Sequence, residues 1–219
     1  MLALVVSGGH TSLIFSAKPG HYQSIGRARD DAAGEALDKL AKYLGLGYPG
    51  GPLIDRLSQN GDPSRFAFSI PKISDGSLDF SFSGFKTAAL RHIQLSAIKP
   101  RRPGGKISKI ALDLITSYQQ AIVDTLVRQT QKAEARLHPR SILLVGGVAC
   151  NSLLRKTFKR VFEEEPLRLE GRASVRVYYP SPILTTDNGA MIAAAGTPKM
   201  QQADPLNLAL NASADLRLC

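Results

Sequence analysis

Short apolar runs bounded by glycine and Asx residues alternate along this chain with stretches of roughly 3.6-residue apolar period, a pattern of alternating strands and helices. Leu2–Val6 and Ser12–Ser16 are separated by turn residues and read as a hairpin. Asp30 is placed to cap a helix running to about Leu44, because Ala33, Leu37, Leu40, Ala41 and Leu44 fall on one stripe. Asp79–Gly84 reads as a strand running into a helix start near Ser83, and a long amphipathic helix extends from about Ile107 to Leu137. Ser141–Val145 reads as a buried strand, Asn151 caps a helix to about Glu164, and Val175–Tyr179 is a further strand. Thr185 or Thr186 caps a final helix rich in Ala and Gly. The mixture places the chain in the α/β class, as one unit over 1–219 with no internal repeat.

The loops between these elements carry the candidate chemistry. Val6-Ser7-Gly8-Gly9-His10-Thr11, Tyr48-Pro49-Gly50-Gly51-Pro52, Val145-Gly146-Gly147 leading to Asn151, and Thr185-Thr186-Asp187-Asn188-Gly189 each lie against an apolar strand or a helix start. Glycine pairs there let a ligand approach the backbone and turn N–H groups outward toward an anion. Together they read as walls of one nucleotide site. Asp31, Glu35 and Asp38 have helical spacing and project together, either as a solvated face or as acceptors for a ribose diol. Asn151 is an N-cap or an amide beside a nucleoside, and Asp187 is a cap or a hard ligand for a metal near phosphates.

Charge changes the picture next. The 28 Lys and Arg against 18 Asp and Glu give a formal charge of +10, which suits a polyanionic partner or serves only solubility. The excess is local: between Asp79 and Asp113 there is no carboxylate, while Lys86, Arg91, Lys99, Arg101, Arg102, Lys106 and Lys109 occur, and the segment near 99–109 reads as a mobile basic loop. Cys150 and Cys219 are the only cysteines, too few for a disulfide framework, so a reducing, cytoplasmic setting is expected. No apolar run approaches the roughly 20 residues of a membrane span.

Three motif readings compete and lose ground. Gly45-Leu46-Gly47-Tyr48-Pro49-Gly50 spells a dinucleotide fingerprint but follows a predicted helix and is interrupted by Pro49, so Gly45 and Gly47 read as a helix end. The four histidines are scattered, only His10 lies in a site loop, and no His-Glu-x-x-His is present. Ser83-Gly84-Phe85-Lys86 and Thr186-Asp187-Asn188 echo two elements of serine acyl-enzymes, whereas the third, Lys-Thr-Gly, is absent.

In chain order, the Val6–Thr11 loop, Asp30–Lys39, Tyr48–Pro52, Asp79–Gly84, Gly146-Gly147-Val148 with Asn151, and Thr186–Met191 closely resemble the TsaD family of tRNA threonylcarbamoyladenosine transferases. The resemblance implies an actin-like ATPase fold, the type shared by sugar kinases, Hsp70 and actin. It also implies transfer of a threonylcarbamoyl group from threonylcarbamoyl-AMP to the adenosine beside the tRNA anticodon, in tRNAs reading codons that begin with A. By the same resemblance Val5, Val6, Ser7, Gly8 and Gly9 line the adenylate and its acyl phosphate, Asp38 and Gly51 lie at the ribose side, and Asn151 lies near the nucleoside. Asp187 matches a ligand to a divalent metal, iron or zinc. No general base is identified. Lys99, Arg101, Arg102 and Lys106 are expected to contact tRNA, and TsaB-like and TsaE-like proteins are the partners expected in bacteria.

The family's Glu-Thr-Ser-Cys-Asp-Glu-type motif and its His-x-x-x-His metal pair lie upstream of the point that Met1 matches. The chain therefore looks like the C-terminal two-thirds of such a protein, with an incomplete first lobe. On that expectation its first strand exposes an unpaired apolar edge that favours self-association, and activity of the chain alone is in question. A nucleotide-binding relative without catalysis is the alternative.

Overall fold

The computed structural model describes residues 1–102, 104–165 and 174–200. Pro103 of the basic loop and Cys219 lie outside them.

Strands β1 (Leu2–Val6), β2 (Thr11–Phe15), β3 (Gln23–Arg27), β4 (Ser141–Val145) and β5 (Arg176–Tyr178) form one sheet in the order β3-β2-β1-β4-β5. The expected hairpin is present, β1 and β2 pairing antiparallel from Leu2 opposite Phe15 to Val6 opposite Thr11. β4 then lies parallel to β1, and β5 parallel to β4. Strand β1 is thus paired on both sides, so it offers no unpaired edge, contrary to expectation. Leu2, Leu4 and Val6 on one face of it are fully buried, as a central strand covered on that face requires.

The polar Gln-Ser-Ile-Gly-Arg run of β3 carries no strand pattern, and only its pairing with β2 makes it one. The segment read as a strand at Asp79–Gly84 contributes one bridge, Ala28 to Phe80, and shields the β3 edge instead. Gly26 permits that cover, since a Cβ there would lie 2.3 Å from the Leu78 carbonyl oxygen.

Helix α1 (Ala33–Tyr43) follows the predicted stripe, with Ala33, Leu37, Leu40, Ala41 and Leu44 all buried. Gly45 and Gly47, at positive φ, end it as expected of a helix C-terminus. Asp30 does not cap it. The Ala33 N–H donates to Thr11 Oγ1 at 2.9 Å, while Asp30 reaches across to α3 (Ser83–Leu95) and accepts from the Phe82 and Ser83 N–H groups and from the Ser81 and Ser83 hydroxyls. Burial pushes the Asp30 carboxyl up, but these four donors outweigh it and hold the pKa below its ordinary value.

Helix α4 (Lys109–Leu137) was expected to be amphipathic and is instead buried nearly all round between Ala111 and Thr130. Its polar residues tie neighbouring segments to it: Thr116 donates to Ser58 O at the end of α2, Ser117 to Asp62 O in the loop beyond, and Tyr118 to Ala36 O of α1. Helices α2 (Gly50–Ser58), α5 (Ser152–Phe158, continuing with π geometry through Lys159–Glu164) and α6 (Gly189–Met200) complete the chain. Asn188 caps α6, accepting from the Met191 N–H at 3.0 Å, whereas Thr185 bonds back to Pro182 O. No helix among the described residues is long and apolar enough to cross a membrane.

Candidate functional site

The loops converge because the chain brings strand ends and helix starts to one side of the sheet. At the β1–β2 turn Ser7 N–H donates to His10 O (2.8 Å) and His10 N–H to Ser7 Oγ (3.0 Å), holding Gly8 and Gly9 at the tip. Neither has a positive φ, and a Cβ on either would meet nothing within 4 Å, so the tip lies open. The start of α1 packs beneath it. Gly34 makes that approach feasible, because a Cβ there would fall 2.4 Å from the Ser7 carbonyl oxygen. Gly146, at φ +94°, similarly lets the end of β4 close against Val6 O, and Gly147 beyond it is open.

The second wall is the α1–α2 corner. Asp38 was expected to project with Asp31 and Glu35, but α1 begins only at Ala33 and the three carboxylates divide. Asp31 and Glu35 both bind Lys39 Nζ, at 2.6 and 3.0 Å. Asp38 turns to α2, where its Oδ1 accepts from the Gly50 N–H at 2.7 Å and the Gly51 N–H at 3.2 Å. Among the described residues its Oδ2 has no partner. The two glycines separate in role: a Cβ on Gly50 would lie 2.4 Å from Ala41 Cβ, whereas one on Gly51 would meet nothing.

The third wall is the start of α5. Asn151, buried, caps it by accepting from the Leu154 N–H at 3.0 Å through Oδ1, which leaves its amide N–H₂ as a donor. Asp55 of α2 locks this helix to the corner, accepting from the Ser152 N–H (3.0 Å) and hydroxyl (2.8 Å), while Gln119 of α4 donates to Asp55 from behind at 3.2 Å.

Between these walls lies a cavity of about 460 Å³, within the size range of ligand pockets. Of the residues read from the sequence, Gly8, Asp38, Gly51 and Asn151 line it. Ser7 and Gly9 flank Gly8 outside the lining, and Val5 and Val6 lie in β1 behind it. Thr186 lines it but the neighbouring, exposed Asp187 does not. Sequence reading missed Gly34, Leu37, Asp55, Arg56 and Gln59. A signal existed for two of them, since Gly51, Asp55 and Gln59 recur at every fourth position and so share a face.

Among the described residues no three His, Cys, Asp or Glu side chains come together to hold a metal, and Asp187 belongs to no such group. The acyl-enzyme reading fares no better: the Ser83 hydroxyl donates to Asp30 at 2.9 Å and makes no hydrogen bond to Lys86 among the described residues. Nor is the basic loop wholly free, since Arg101 N–H donates to Leu44 O at 2.8 Å at the end of α1. Lys99, Arg102 and Lys106 are exposed beside it.

The family model described as "TsaD: tRNA N6-adenosine threonylcarbamoyltransferase" matches residues 2–194. Relatives with that same description include proteins of Desulfitobacterium hafniense, 44% identical over 218 residues, and Geobacillus kaustophilus, 44% identical over 220, each alignment taking in 100% of this chain and 60% of the relative. A Koribacter versatilis relative is 41% identical, with 100% of this chain and 64% of the relative covered. The chain thus spans about 60% of the length of the curated relatives it matches. Among solved structures, an activator of the 2-hydroxyisocaproyl-CoA dehydratase from Clostridium difficile with bound ADPNP aligns at TM-score 0.48 and 18% identity, covering 97% of this chain and 65% of the other.

Proposed function

Because the chain belongs to the TsaD family, whose actin-like α/β fold its mixed sheet fits, we propose that it is the adenylate-binding part of a tRNA N6-adenosine threonylcarbamoyltransferase. The donor is threonylcarbamoyl-AMP and the acceptor is the adenosine beside the anticodon of tRNAs that read codons beginning with A. The observation that carries this reading is the cavity itself, in which Gly8, Asp38, Gly51 and Asn151 meet from separate segments of the chain.

Chemically, the exocyclic amine of adenosine attacks the carbamoyl carbon, the bond from that carbon to the phosphate oxygen of AMP breaks, and the amine's proton is released. The chain's own residues bind and orient. Asp38 Oδ2, left over from the helix contact, accepts from the ribose hydroxyls. The Asn151 amide donates to the nucleoside. The open Gly8–Gly9 tip and Gly51 let the acyl phosphate and ribose approach the backbone, and Val5, Val6 and Ser7 hold that tip in place. Fixed N–H groups at such a site stabilise charge developing on the carbonyl oxygen.

The family's metal, iron or zinc, would take Asp187 as one ligand. The described residues do not by themselves complete its site. The basic residues Lys99, Arg101, Arg102 and Lys106 favour tRNA as partner, and TsaB-like and TsaE-like proteins complete the bacterial assembly in a cytoplasmic setting.

Depleting the corresponding gene should remove threonylcarbamoyladenosine from bulk tRNA, read by mass spectrometry of nucleoside digests. Unchanged levels in a cell with no second copy would overturn the proposal.

A further inference from the structure

Resting on that reading of the cavity, we infer that the acceptor RNA reaches it from the basic loop over the α1–α2 corner, where Tyr48 offers a stacking face for a base and Lys42 and Arg102 take backbone phosphates.

Tyr48 is 86% exposed, and its hydroxyl makes no hydrogen bond among the described residues. The ring stands at the cavity mouth and also walls a second, shallower hollow formed with Lys42, Gly45 and Gly47. An aromatic face left bare between two concavities is the platform on which proteins stack unpaired bases.

Two cations near the ring, Arg56 and Lys42, lack an ion pair among the described residues. Of the cavity's two carboxylates, Asp38 accepts from the Gly50 and Gly51 N–H groups through one oxygen, and Asp55 accepts from Ser152 and Gln119. Its one lining cation, Arg56, has no ion pair or hydrogen bond among the described residues. In the second hollow Lys39 pairs with Glu35 and Asp31, and Lys42 has no ion pair or hydrogen bond among the described residues.

The corner adjoins the basic loop. Arg101 N–H is bonded to Leu44 O, two residues past Lys42, and the Arg101 carbonyl packs so closely on Gly45 that a Cβ there would lie 2.7 Å away. Beyond it Arg101, Arg102 and Lys106 line a third hollow of about 500 Å³. Cations strung along a groove with an exposed ring at one end suit a single-stranded RNA loop, because phosphates repeat along the strand while every base offers a π face.

The test uses the whole chain. Binding of an anticodon stem-loop RNA with adenosine beside the anticodon is followed by fluorescence anisotropy across salt concentrations, and AMP binding by calorimetry. Tyr48→Ala should raise the RNA Kd by about fivefold or more, the factor expected for one lost stack, and Tyr48→Phe should restore it. Lys42→Glu and Arg102→Glu should weaken RNA binding and flatten its salt dependence, while AMP affinity and melting temperature stay as in the unaltered chain. RNA affinity unchanged in Tyr48→Ala and Lys42→Glu would overturn the path, as would a chain that binds AMP but no RNA, with the nucleotide reading intact. A chain that binds neither would overturn both. Capture of an acidic protein at the same residues, with RNA affinity unaffected by the variants, would also reject the RNA path.

Discussion

Asp38 on α1 holds Gly50 at the first turn of α2: one carboxylate oxygen accepts the Gly50 N–H at 2.7 Å, and the absent side chain of Gly50 lets the two helices close to contact. A residue that the spacing marked as a ligand group is therefore also the fastening of the corner that forms the cavity.

Removing this carboxylate should cost stability as well as ligand. Asp38→Ala leaves the Gly50 and Gly51 N–H groups without their acceptor, and a charge-assisted contact of this kind is worth about 1.5–3 kcal/mol. Asp38→Asn keeps an acceptor oxygen and should recover most of that loss in urea unfolding. AMP affinity, measured by calorimetry, should fall in both variants.

Two cavity glycines should respond in opposite ways. Gly34→Ala forces a Cβ to within 2.4 Å of Ser7 O, backbone that yields only by moving the Gly8 tip, so the melting temperature should drop. Gly51→Ala meets nothing within 4 Å and should melt within a degree or two of the unaltered chain, yet bind AMP more weakly because its methyl enters the ligand's space. Equal melting temperatures for the two variants would contradict this packing.

Acid should destabilise the chain through depressed carboxyls, among them three that gather around the β3 edge. Hydrogen bonds from Arg29, then from Ser77, lower Asp75 to about 2. Asp79 and Asp30 are pushed up by burial, but their donors win and both lie below the ordinary value. A depressed folded pKa contributes stability that is whole above the unfolded value of about 3.9 and is lost as pH falls through the folded one. The urea midpoint should stay level from pH 7 to 5 and fall below about pH 4. Asp30→Asn should lower stability at neutral pH and flatten that fall.

Asp187 offers one exposed carboxylate that belongs to no group of three potential ligands among the described residues. The purified chain should accordingly retain far less than one equivalent of iron or zinc after dialysis, by elemental analysis, and Asp187→Ala should leave that content unchanged. A tightly held equivalent lost in Asp187→Ala would reveal further ligands.

The elements whose apolar pattern is local were legible in the sequence: β1, β2, the α1 stripe, β4, and the Asn151 cap all form where periodicity and capping chemistry place them. Burial of a repeating face and satisfaction of a helix end need only neighbouring residues, so the sequence states them directly. Pairing decided the rest. β3 is a strand only because β2 lies beside it, and β1 is central only because β4, more than a hundred residues later, closes its other side. The site divides along the same line. Glycine loops announce open backbone. But which glycine faces the cavity and which spaces two helices, which carboxylates Lys39 pairs with, and whether Asp30 serves the start of α1 or of α3 all depend on what packs opposite, and only the tertiary structure supplies those neighbours.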